Sequence, residues 1–161
     1  MSFAVVARCL ALSGLALLTV AASEPAAVPG VNPAVVARFV EHMRNNITLG
    51  SYPDGRPLQE ETPAERARPI LPERVSQRVW QRGSLDAVVE ACGGDWKTMG
   101  LDPLMQQLRA RGDLDDRQLG FARLLHDAAK EQSGSLSEED CTDGLKANVA
   151  NALKELAKTD I

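Results

Sequence analysis

A chain of 161 residues with 18 basic and 22 acidic side chains has a net charge of −4, and so lacks the strongly basic patch or domain that nucleic acid calls for. Aromatics make up only 4% of the residues while alanine and leucine are plentiful, a balance that favours helices, and the length suits a single core. No segment recurs at a fixed period, so a solenoid is not indicated.

Residues 1–23, MSFAVVARCLALSGLALLTVAAS, carry one positive charge at Arg8, an apolar stretch from Cys9 to Val20, and small residues at Ala21, Ala22 and Ser23. This is the layout of a secretory signal with a small-residue cleavage site. The apolar stretch is shorter than the roughly 20 residues that span a bilayer, so membrane attachment is expected only through an uncleaved signal. Cys9 has no lipobox-like run before it, and a lipid anchor is not expected. A composition rich in alanine, arginine and valine points to a bacterial source, which places the mature chain in the periplasm ahead of the extracellular space.

Residues 24–31, EPAAVPGV, read as a proline-rich leader before a single helical domain over 32–161. Asn32 and Pro33 supply an N-cap and a first-turn proline, and Val35, Val36, Phe39, Val40 and Met43 then recur at helical spacing, predicting a helix over 33–45. Between 48 and 70, Pro53, Gly55, Pro57, Pro63 and Pro69 lie among charges and predict a long irregular segment with few apolar anchors. Beyond it the apolar stripe turns: Leu85, Val88, Val89 and Cys92 point about 100° away from Val75 and Val79. Gly83-Ser84 lies at the change, so two short helices with a corner are expected, 73–82 and 85–92.

Gly93-Gly94 stops the second of these, Asp95 caps a turn, and Asp102-Pro103 opens a helix that runs to Arg111 and ends at Gly112. Residues 115–132 are strongly amphipathic, with Phe121, Ala122, Leu125, Ala128 and Ala129 on one arc. Ser137 and Asp140 form a capping-box variant before a last helix, whose stripe is Cys141, Leu145, Val149, Ala152, Leu153 and Leu156. Together these segments predict an all-α bundle of five to six helices of uneven length, with one disulfide and a long irregular segment after the first helix.

Once Cys9 leaves with the signal, Cys92 and Cys141 remain in an oxidising compartment, where a bridge is the expected state. A zinc site would want four ligands at short paired spacings, and neither cysteine has a cysteine or histidine close by in sequence. Asp113, Asp115 and Asp116 suggest a calcium loop, but its sixth position is not glycine and Leu124 stands where the closing glutamate belongs. No metal, cofactor or catalytic residue is assigned.

Two constellations remain as candidates. Arg74, Arg78 and Arg82 stand four apart, a spacing that lines one side of a helix and could grip phosphates, an acidic partner or anionic headgroups. The alternative is a solvated face paired with Glu60, Glu61, Glu65 and Glu73. His42 and His126 fall at the polar borders of their helices; if those helices pack together, His42, His126 and Asp127 could hold a metal or share a proton. The leading expectation is an exported, non-catalytic helical module that binds a protein partner or small ligand. The alternative is a small periplasmic enzyme or metal-binding protein with its site near the two histidines.

Overall fold

A computed structural model describes residues 31–133, 136–159 and 161. The expected signal, 1–23, and all of the expected leader except Val31 lie outside the described residues. Six α-helices follow in order: α1 (Pro33–Asn45), α2 (Pro63–Arg66), α3 (Glu73–Ala91), α4 (Asp102–Arg111), α5 (Asp116–Ser133) and α6 (Asp143–Lys158), with no strand among the described residues. Helix α1 begins as expected: the Asn32 side chain accepts from the Ala34 and Val35 amides, and Pro33 occupies the first turn.

The central pair is α3 against α5. Val75 and Val79 on α3, Leu104 and Leu108 on α4, and Phe121 and Leu125 on α5 are each at most 1% exposed and form the main core. Each such burial stabilises the fold by about 1.5–3 kcal/mol. A smaller cluster of Val89, Val149 and Leu153, flanked by Leu85, Val88 and Leu145, seats α6 on the far end of α3.

Helix α3 corrects the expected corner at Gly83-Ser84, because it runs unbroken from Glu73 to Ala91. Its apolar stripe changes direction because its two halves meet different partners: the first half faces the main core and the second faces α6. Gly83 is a packing residue there rather than a stop. A Cβ at that position would lie 2.4 Å from the His126 carbonyl oxygen, so only glycine lets α5 come this close. The last helix also starts later than expected. Ser137 and Asp140 cap a 3-10 turn over Glu138–Asp140, while Thr142 caps α6 by accepting from the Leu145 amide. Cys141 therefore precedes α6 rather than riding on its stripe, and its bridge to Cys92 (Cα–Cα 5.4 Å) joins the end of α3 to the approach to α6.

Residues 48–70 are largely irregular, as expected, but they are anchored. Leu58 is 1% exposed, and Ile70 and Leu71 join the same core. Arg44, in the last turn of α1, donates through Nε and Nη2 to the two carboxylate oxygens of Glu61, each at 2.8 Å. Nη2 also donates to the carbonyls of Glu65, Arg66 and Arg68, which end the short α2. Helix α2 owes its other end to a Thr62–Glu65 capping box and Pro63. Thus one buried guanidinium satisfies a carboxylate and a helix C-terminus together.

Candidate functional site

The arginine stripe does not form a uniform exposed face. Arg74 is exposed, Arg78 is half-buried, and Arg82 is buried at 1% exposure. Of the acids expected to partner them, Glu61 pairs with Arg44, Glu65 with Arg117, and Glu73 accepts from Gln77. Arg82 donates through Nη2 to Gln107 Oε1 (2.7 Å), and the Gln107 amide donates to the Ala157 carbonyl, which ties α3, α4 and α6 together. Burial pulls its pKa down to about 10, against a raising influence from Asp86, and the guanidinium stays charged at neutral pH.

The paired-histidine site is not assembled. His42 is exposed on α1 and makes no contact with His126, and no group of three metal-ligating side chains occurs among the described residues. His126 lies in the α3–α5 seam rather than at a polar border, with no exposed surface. Its Nε2 meets Asp86 Oδ2 at 2.8 Å and its Nδ1 meets Asp127 Oδ1 at 3.2 Å. Two acceptors flanking one ring are both satisfied by the imidazolium, whose two nitrogens donate. Burial opposes that charge, but the hydrogen bonds to Asp127 and Asp86 outweigh it and lift the His126 pKa above its ordinary value. The Trp96 ring stacks over the imidazole, 5.9 Å between centroids, and the Lys130 ammonium sits 4.3 Å above Trp96.

Asp86 is as buried as its partner, and burial lifts its carboxyl above the ordinary range while His126 and Arg82 pull it back. Its Oδ1 has no hydrogen-bond donor among the described residues and rests against Gly100, in a π-helical turn over Lys97–Leu101. A Cβ on Gly100 would fall 1.8 Å from Oδ1 and 2.1 Å from Oδ2, so glycine is what makes room for the carboxylate. Sequence reasoning missed this group. Its traces were a glycine inside a helix, Gly83, and an Arg82–Asp86 pair four residues apart; both were consistent with a corner and a solvated face.

One member of the group reaches the surface. Asp127 keeps 41% of its side chain exposed, sits 3.9 Å from Arg123, and lines a cleft of about 420 Å³ between the Leu49–Gly55 turn and helices α4 and α5. Gly50 and Gly120 let the turn lie close to α5: a Cβ on Gly120 would be 2.5 Å from the Ser51 carbonyl oxygen, and one on Gly50 would be 3.2 Å from Leu124 Cβ. Leu49 and Leu124 give the cleft its accessible apolar wall, with the nearly buried Leu101, Met105 and Leu119 beneath it, and Asp102, Arg109, Arg123 and Asp127 give it a charged one. At its edge Leu49 is 73% exposed, the most exposed large apolar side chain among the described residues. No helix among the described residues is long and apolar enough to cross a membrane. No family model, curated protein or solved structure matches this chain.

Proposed function

We propose that the protein is an exported, non-catalytic helical module that binds a short protein segment or small ligand in the cleft beside Leu49. The observation that carries this is the cleft itself: a concavity of ligand-sized volume, about 420 Å³, in which an apolar wall meets a few charged groups. Leu49 stands at its rim with most of its surface in water, and burying a leucine of that kind against a ligand would contribute about 1.5–3 kcal/mol. The Cys92–Cys141 bridge supports an oxidising location, and the signal-like residues 1–23 support export to the periplasm or beyond. His126, the strongest acid–base candidate, has no exposed surface, which weighs against a reaction at that residue.

Affinity capture from the native periplasm with the wild-type protein and with Leu49→Asp tests this. Molecules recovered with the wild type should be lost with the variant, while both melt alike, because Leu49 is exposed and contributes little to the core. The same set recovered with both proteins would overturn the assignment of the cleft.

A further inference from the structure

We propose that the cleft takes amphiphiles with an anionic end, and that the proton on His126 sets their affinity through Asp127. This rests on the cleft being the binding site and goes further in naming the ligand class and its control.

The charge count gives the sign. Arg109 and Arg123 face Asp102 and Asp127 in the cleft, so those four side chains sum to zero. Asp127 is shared, however: one carboxylate oxygen meets His126 Nδ1 at 3.2 Å from behind, and the other lies 3.9 Å from Arg123 at the surface. With His126 protonated, Asp127 is neutralised from inside, and the cleft carries a net positive charge beside its apolar wall. With His126 neutral, Asp127 must be balanced by Arg123, and less positive charge is left for an anion. Arg109 makes no ion pair among the described residues and is a ready partner for an anionic head, with the exposed Leu49 and half-buried Leu124 for its tail.

The rest of the surroundings of His126 is nearly balanced. Helix α3 brings Arg82, Asp86 and Glu90; α5 adds Lys130, which pairs with Glu90; the π-helical turn brings Lys97 over the far partner, Trp96; and α4 supplies only the neutral Gln107, against Arg82. With no exposed surface and a ring covering one face, the imidazolium is poorly screened, so its charge reaches the cleft at short range.

The test uses octane-1-sulfonate, which stays anionic throughout, titrated into the protein at low ionic strength while the amides of Gly50, Gly55 and Gly120 are followed by NMR. Affinity should fall about three-fold as pH rises through the His126 midpoint, a step of the size that one partly screened charge gives at such a distance. By reciprocity, saturating sulfonate should raise the His126 midpoint by about half a pH unit, the same factor seen from the other site. Asp127→Asn, which removes the carboxylate that carries the coupling, should lower the His126 midpoint and flatten the binding step, and a full step that persists at the shifted midpoint would overturn the route through Asp127. His126→Gln should flatten the step, and His42→Gln should leave it in place. Affinity that stays constant while His126 titrates would overturn the coupling alone. Tighter binding of octyltrimethylammonium than of the sulfonate on both sides of the midpoint would overturn the ligand class. No amide change at any pH with either probe would overturn the cleft assignment and the coupling with it.

Discussion

Replacing Gly100 by alanine adds a single methyl group, yet the structure places that group 1.8 Å from Asp86 Oδ1, well inside contact distance. Asp86 has no exposed surface and cannot swing into water, so its carboxylate must shift within the core and break its 2.8 Å contact with His126. Forcing a methyl into a packed core costs about 1–3 kcal/mol, and separating one partner from a buried charged pair about 3–5 kcal/mol. These costs overlap, because the methyl acts by breaking the pair, and a net loss of about 4 kcal/mol is expected. Since each kcal/mol moves a domain of roughly 130 residues by about 4 °C, the melting temperature should fall by about 15 °C in calorimetry. Gly144→Ala is the control, because a Cβ there meets nothing nearer than Thr142 Oγ1 at 3.9 Å, and alanine in α6 should be neutral or slightly stabilising. A Gly100→Ala protein that melts within about 4 °C of the wild type would refute the tight seat argued for Asp86.

The double variant Cys92→Ser/Cys141→Ser opens a loop between positions 49 apart in sequence, which the chain-entropy relation values at about 4 kcal/mol. Its melting temperature should fall by about 15 °C, and the intact wild-type protein should weigh two hydrogens less than its reduced form. Arg44→Ala leaves Glu61, whose side chain is 3% exposed, as a buried charge without its main partner, and should cost about 3–5 kcal/mol in denaturant unfolding. The hydrogen bonds from Arg44 hold the Glu61 carboxyl below its ordinary value of 4.5, so this contribution is complete above that pH and is lost as pH falls towards the folded-state pKa. Wild-type stability should therefore drop on acidification below about pH 4.5, and the Arg44→Ala protein should show a shallower drop over the same range.

Much of the fold was legible because it depends on local chemistry. Asn32-Pro33 started α1, Gly112 ended α4 in a left-handed conformation, and Phe121, Ala122, Leu125 and Ala129 marked the core side of α5, since caps and 3.6-residue periodicity act over a few neighbouring residues. The disulfide was legible from the cysteine count and the export expected from residues 1–23. What escaped depended on which partner each face meets. A stripe that turns at Gly83 reads as a break when a helix is assumed to have one apolar neighbour, but α3 has several, among them α5 along its length, α1 against Trp80 and α6 at its end. Arg44, Arg82, Asp86 and His126 look like surface residues because a charged side chain is costly to bury alone. They are buried because each finds its counterpart far along the chain: Glu61 lies 17 residues from Arg44, Gln107 lies 25 from Arg82, and His126 lies 40 from Asp86. Amino-acid order fixes which residues can pair; only tertiary packing brings the partners together, as when α3 approaches α5 over Gly83, which has no Cβ to hold them apart, and sets Asp86 against His126 closely enough for their attraction to offset the water they lose.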